Sequence, residues 1–125
     1  MTQRDEVLYL KHMRDYALEV LSFVEGRRRT DLDNDTQFAF AVRYGVGMLG
    51  EAAANVPPAV LRGIPEIDWS AIIGMRHRLI HGYDTVNCNI LWDAVQNDLP
   101  ALIEELHAVI GEIEAPDRGD GNDPA

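Results

Sequence analysis

Apolar residues recur every three or four positions along most of this 125-residue chain, and they almost nowhere alternate with polar residues. Such spacing places the apolar side chains on one face of an α-helix. The first stripe covers roughly residues 3–25, before Gly26, and runs through Val7, Leu10, Met13, Ala17, Leu21 and Val24. The chain is therefore predicted to be all-α.

Three further helices follow from the same pattern. The second begins at Asp33, Asp35 or Thr36, which are suitable N-caps, and ends at Pro57 and Pro58. Its apolar positions are Phe38, Ala41, Val42, Met48, Leu49, Ala52 and Val56. The next segment, PPAVLRGIPEIDW, is a connector with room for one helical turn, because prolines and a glycine interrupt any longer period.

The third helix is short, with Asp68 or Ser70 as its cap and Gly82 as its stop, and the fourth starts from Asn87 or Asn89. The third carries Trp69, Ile72, Ile73, Leu79 and Ile80, and the fourth carries Ile90, Leu91, Ala94, Val95, Leu99, Leu102, Leu106, Val109, Ile110 and Ile113. Pro100 lies inside the fourth stripe and should kink that helix, because its ring opposes the carbonyl of Gln96.

These elements predict one domain over residues 1–114, an antiparallel bundle of four main helices, with residues 115–125 as a disordered acidic tail. The length suits one domain with its own core. Cys88 is the single cysteine, the N-terminus lacks an apolar signal region, and no run is long enough to cross a membrane. We expect a cytoplasmic protein with no membrane association.

The charge distribution restricts binding to nucleic acid. The formal net charge is −10, so the bulk field repels phosphate. Any RNA contact must then be local, at Arg27, Arg28 and Arg29 or at Arg76 with Arg78. The first cluster is also what the dipole at a helix C-terminus favours, and both interpretations stay open.

The segment MRHRLIHGYD, residues 75–84, concentrates basic and aromatic side chains where the third helix ends. On a continuous helix, a five-residue step from Arg76 to His81 leaves the side chains roughly 140° apart. Convergence therefore requires that the helix end near Ile80 and that Gly82 let the next turn swing His81 back. The alternative for Arg76 and His81 is a salt-bridged helix end.

This segment resembles the signature of the HEPN superfamily, and within it the HepT-like toxins of prokaryotic toxin–antitoxin pairs. The signature is an arginine, a polar residue, three further positions, a histidine, one residue and a tyrosine, which Arg76, His77, His81 and Tyr83 match. The segments GEAA at 50–53, DWSAIIGMR at 68–76 and LWDAVQNDLPAL at 91–102 extend the resemblance.

The resemblance implies a metal-independent endoribonuclease that acts as a homodimer without a cofactor, with the motifs of both chains lining one cleft. His81 suits proton transfer near neutral pH, and Arg76 suits stabilisation of charge on the phosphorane; His77 would support them. The resemblance further implies that a nucleotidyltransferase antitoxin of the MNT type transfers AMP to Tyr83 and silences the ribonuclease. The alternative function is a catalytically inactive regulatory subunit that docks such a nucleotidyltransferase.

Several residues also have simpler interpretations. His77 and His81 have the spacing of a helical metal pair, but without a third ligand besides Asp84 we predict no metal site. Tyr83 outside the motif would be a packing residue. Glu51 lies among small residues and is assigned a structural or interface role. Ordinary surface positions are predicted for His12 and His107, and core or interface positions for Trp69 and Trp92.

Overall fold

The computed structural model describes the backbone of residues 3–81 and 87–115 and the side chains of residues 5–80 and 87–115. The stop at Gly82 and the tail beyond Ala115 lie outside the described residues. Within them the chain is helical and has no strand, which confirms the predicted all-α class. The elements in chain order are α1 (Gln3–Val24), α2 (Asp31–Asn34), α3 (Thr36–Ala54), α4 (Pro58–Arg62), α5 (Trp69–His81), α6 (Cys88–Asp93), a π-helical turn (Ala94–Asp98) and α7 (Leu99–Glu114).

The sequence offered more than one N-cap residue for three helices, and the hydrogen bonds of the structure identify which residue caps each of them. The Phe38 N–H donates to the Asp35 carboxylate at 3.1 Å, which makes Asp35 the cap of α3. The Ala71 N–H donates to Asp68 at 3.1 Å at the start of α5. The Asn87 side chain caps α6 by accepting from the N–H groups of Asn89 and Ile90. Each cap satisfies amide groups that have no partner inside their helix.

Three boundaries differ from the sequence-based expectation. The segment between the first two main helices contains α2, a short helix that the apolar pattern did not predict. Helix α5 continues through His81, whereas the convergence of Arg76 and His81 required a helix end near Ile80. Before Pro100 the chain forms a π-helical turn, in which the backbone accommodates a residue that cannot donate a helical hydrogen bond.

Most of the core lies between α1, α3 and α7. Leu10 and Leu106 are fully buried there, as is Val42. Helix α1 approaches α3 closely at Gly45, where any β-carbon would collide with the side chain of Val20. The glycine costs helix stability, but it lets two helix backbones approach closely.

Helix α5 packs chiefly against α3. Its central residues Ile72, Ile73 and Met75 are partly buried against the core, and Ile80 is 48% exposed. The Trp69 indole N–H donates to the carbonyl of Ile64 at 3.0 Å and ties the start of α5 to the connector. No described helix is long and apolar enough to cross a membrane.

Candidate functional site

Arg76 lies on the face of α5 that packs against α3, at the point of their close approach. A β-carbon at Gly50 would lie 2.5 Å from Arg76 Cβ and 3.0 Å from the carbonyl oxygen of Ile72. Such distances are too short for any side chain, so glycine at position 50 is what allows Arg76 to rest on α3. The GEAA segment therefore has a packing function next to the motif.

The Arg76 guanidinium forms an ion pair with Glu51, at 2.6 Å between a terminal nitrogen and Oε1. The two side chains are 29% and 45% exposed, so the pair borders on solvent. Arg76 Nε is buried and has no hydrogen-bond partner among the described residues. Glu51 thus holds a terminal nitrogen of this planar cation at the border with solvent.

The other motif residues are described less completely. His77 is exposed on α5. His81 is the last residue of α5, but its side chain and all of Tyr83 lie outside the described residues. Because α5 includes both Arg76 and His81, the two positions lie about 140° apart around the helix axis. A turn that begins after His81 cannot bring His81 itself back towards Arg76, so the backbone differs from the helix end near Ile80 that convergence within one chain requires.

Arg43 is a candidate residue that the sequence analysis missed. Its side chain is half-buried on α3, a terminal guanidinium nitrogen lies 3.8 Å from Cys88 Sγ at the start of α6, and its Nε is buried without a partner among the described residues. Arg43 precedes Gly50 by seven residues on α3, about two helical turns. No local sequence motif identifies Arg43, because its contact with Cys88 joins two segments that are 45 positions apart in the chain.

The cluster Arg27 to Arg29 serves the fold at two of its three positions. Arg27 pairs with Asp31 at 3.1 Å and Asp35 at 2.8 Å, and its guanidinium lies 4.0 Å from the Phe38 ring centroid. Arg29 pairs with Asp33 at 2.5 Å and also donates to Asn89. Neither lies in the last turn of α1, so acidic side chains near α2, rather than the α1 dipole, engage them.

In this cluster the acidic and basic side chains shift each other's pKa values towards the charged forms. The pKa of Asp31 is lowered by the backbone N–H of Arg28 and then by Arg27. The pKa of Asp35 is lowered by the Phe38 N–H and then by Arg27. The pKa of Arg27 is raised by its hydrogen bonds to Asp35 and Asp31. These shifts favour the charged forms that tie the α1–α3 connection together.

The remaining predicted positions divide between surface and core. His12 and His107 are exposed, as predicted. Trp69 and Trp92 are partly buried and pack against the core. Among the described residues, no group of three or more His, Cys, Asp or Glu side chains could hold a metal ion.

Comparison with known proteins places this arrangement in a family. A putative RNase of Methanocaldococcus jannaschii is 27% identical over 94% of this chain and 97% of its own length. A second protein, named "Probable ribonuclease HepT", from Thermococcus cleftensis, is 40% identical over 54% of this chain and 62% of its own length. No solved structure gives a significant match. The family model described as "Ribonuclease HepT-like" matches residues 13–109, and with this match and its helical fold the chain belongs to the HepT-like ribonuclease family.

Proposed function

We propose that this protein is a metal-independent endoribonuclease and the toxin of a toxin–antitoxin pair, with Arg76 and His81 as its catalytic residues and His77 in support. The observation that carries the proposal is Arg76, which Glu51 holds at the solvent border on the helix that ends at His81. Its family membership and the names of its relatives support the same activity.

The proposed reaction cleaves RNA through its own 2′-hydroxyl. The 2′-oxygen attacks the adjacent phosphorus, and the bond to the 5′-oxygen breaks. One proton leaves the 2′-hydroxyl and one is delivered to the departing 5′-oxygen, so that a cyclic phosphate and a free 5′-hydroxyl result. His81 transfers protons, and the permanently charged Arg76 stabilises the additional negative charge on the phosphorane.

A homodimer would supply the groups that one chain lacks. One His81 per chain is few for the roles of general acid and general base together. Apolar side chains also remain on the outer surfaces of the helices beside the motif: Phe40 and Tyr44 on α3 are 67% and 64% exposed, and Ile80 on α5 is 48% exposed. We infer that α3 and α5 contribute to the dimer interface, so that two motifs share one cleft.

The proposed regulation is adenylylation of Tyr83 by an MNT-type nucleotidyltransferase. The tyrosyl oxygen attacks the α-phosphorus of ATP, pyrophosphate leaves, and the phenolic proton is released. The added phosphate and adenosine compete with RNA for the charge of Arg76 and for space in the cleft. A co-expressed antitoxin should therefore raise the mass of the chain by one or more AMP units, with the first on Tyr83.

Cleavage assays on the full chain test the catalytic assignment. Arg76→Ala and His81→Ala should each lower the rate by roughly 10²-fold or more, because they remove a charge stabiliser and a proton-transfer group. Arg62→Ala and His107→Ala are matched controls, since both residues are exposed on other helices, and they should cleave at the parental rate. Circular dichroism checks that all four variants fold.

The outcomes separate the proposal from its alternative. Parental cleavage by His81→Ala would refute the catalytic assignment, and loss of cleavage in EDTA would restore the metal-site interpretation. A parent chain that is modified on Tyr83 but never cleaves RNA would establish the inactive regulatory subunit instead. Sedimentation that finds a monomer at micromolar concentration would exclude the shared cleft.

A further inference from the structure

A groove lies between α5 and the last helical stretch, on a different side of α5 from the ion pair of Arg76. Its volume is about 480 Å³, within the usual range of ligand pockets. Val46 and Leu49 of α3 form part of its floor, and Ile72 and Met75 of α5 line one wall. The opposite wall extends from Ile90 to Leu102, about 18 Å along the helix axis.

The rim of this groove is acidic. Glu66, Asp93 and Asp98 are exposed there, and none forms an ion pair with another described residue. Asp68 adds a fourth carboxylate, and Arg78 is the single basic residue among those lining the groove. The groove therefore combines an apolar floor with a surplus of negative charge at its edge.

Small residues on the two walls leave room for another helix to approach the groove closely. Ala71 on α5 and Ala101 on α7 are exposed and line the groove, and Ala94 lines it from the π-helical turn. An approaching helix needs low walls, an apolar groove about three turns long and charges at the rim that complement its own. All three features are present.

We propose that this groove is a docking site for a basic amphipathic helix of a partner protein, with apolar side chains on the floor and Lys or Arg at the rim. Charge complementarity selects this occupant. A second copy of this chain is itself acidic, with a net charge of −10, and the dimer proposed above uses the exposed Phe40, Tyr44 and Ile80, which do not line this groove. Residues 116–125 of the chain are acidic and have no large apolar side chain. RNA is disfavoured as well, because the carboxylates of the rim would repel its phosphates. The inference does not depend on ribonuclease activity.

Fluorescence anisotropy with three labelled helical peptides of about 14 residues tests the proposal. They share leucines spaced i, i+4 and i+7 on one face and differ in the flanking charged positions, which are all Lys, all Glu or all Gln. The Lys peptide should bind at least about tenfold more tightly than the Glu peptide, with the Gln peptide between them, because four rim carboxylates each contribute modestly. Added salt should reduce the difference.

Variants of the full chain then locate the binding. Ala101→Trp fills the groove from an exposed position and should weaken binding of the Lys peptide at least about tenfold. The double variant Asp93→Asn with Asp98→Asn should narrow the preference for Lys over Glu. The matched control is Glu104→Gln with Glu112→Gln, which removes the same charge from exposed positions of α7 outside the groove, and it should retain the full preference.

Several results would overturn the proposal. Failure of the Lys peptide to bind, equal binding of the Lys and Glu peptides, or undiminished binding to folded Ala101→Trp would each exclude a basic helix in this groove. A change of oligomeric state in Ala101→Trp, measured by sedimentation, would assign the groove to a second copy of the chain and would also refute it.

Discussion

Helices α1 and α5 use apolar residues in opposite ways. Helix α1 buries Leu10, Met13 and Val20 completely, between α3 on one side and α7 on the other. Helix α5 carries as regular a stripe, yet none of the residues from Trp69 to Ile80 is fully buried. The same periodic pattern thus produces a core helix in one place and a helix with an open side in the other.

The difference shows that the two helices make unequal contributions to stability and binding. Burial of apolar area is the main favourable term in folding, so the α1–α3–α7 unit supplies most of the stability. Helix α5 retains apolar surface that a partner can cover, and it carries Arg76 and His77 of the motif and one wall of the acidic groove. The proposed catalytic residues and the proposed docking groove therefore lie where the chain buries least of its apolar surface.

Truncation of the two kinds of apolar residue should give the largest contrast. Leu10→Ala removes a fully buried side chain and should lower the free energy of unfolding by ~2–5 kcal/mol. Ile80→Ala removes a side chain that is 48% exposed and should cost less than ~1 kcal/mol. Leu18→Ala, 44% exposed on α1, is the control for exposure. Urea denaturation measures all three, at low protein concentration so that any dimer is dissociated.

A cost at Ile80 as large as that at Leu10 would contradict the comparison, because α5 would then belong to the core of the monomer.

The next largest contrast is expected between two glycines of α3, one that contacts α5 and one that does not. Gly50→Ala places a β-carbon 2.5 Å from Arg76 Cβ, so α5 must shift, and we expect a loss of ~1–3 kcal/mol together with loss of cleavage. No atom lies within 4 Å of the corresponding position at Gly47. Gly47→Ala should therefore stabilise the helix by up to ~1 kcal/mol and leave cleavage unchanged. Denaturation and activity are measured in parallel; a neutral Gly50→Ala would disprove the close approach.

Substitution of Glu51 tests whether α3 positions the Arg76 side chain. Glu51→Ala deletes the partner of Arg76 at 2.6 Å, so the guanidinium loses its orientation, and we expect kcat to fall about tenfold with KM changing less. Glu51→Gln keeps an acceptor oxygen and should recover most of the rate. Faster cleavage by Glu51→Ala would mean that Glu51 competes with RNA for Arg76, and the positioning role would be wrong.

The smallest effect concerns the half-buried ion pairs that Arg27 forms with Asp31 and Asp35 between α1 and α3. The folded-state pKa values of Asp31 and Asp35 are lowered, so their contribution is complete above the unfolded pKa of ~3.9 and is lost as the pH falls through the folded values. Arg27→Gln should lower the melting temperature slightly at neutral pH and have a diminishing effect below pH ~4. Arg62→Gln, on α4, is the control. A pH-independent effect of Arg27→Gln would mean that it acts through packing on Phe38.

The helices, their caps and the family of this protein could be predicted from its sequence, because they depend on residues close together in the chain. Helix positions follow from the apolar period, and the caps Asp35, Asp68 and Asn87 follow from side chains that reach an amide two or three residues away. The family resemblance drawn from residues 76–83 is confirmed by the match over residues 13–109. At Pro100 the sequence predicted a kink, and the structure has a π-helical turn just before the position where proline removes a helical donor.

Contacts between distant segments were decided only by the tertiary structure. Glu51 lies 25 positions before Arg76 in the chain, and the two meet because Gly50 lets α5 rest on α3. The sequence left two uses open for Arg27 to Arg29, and the folded chain directs Arg27 and Arg29 towards acidic side chains. Periodicity identifies an apolar face but not what covers it, because burial depends on which other helices pack there. For this reason α1 and α5 have similar patterns in the sequence but different environments in the structure.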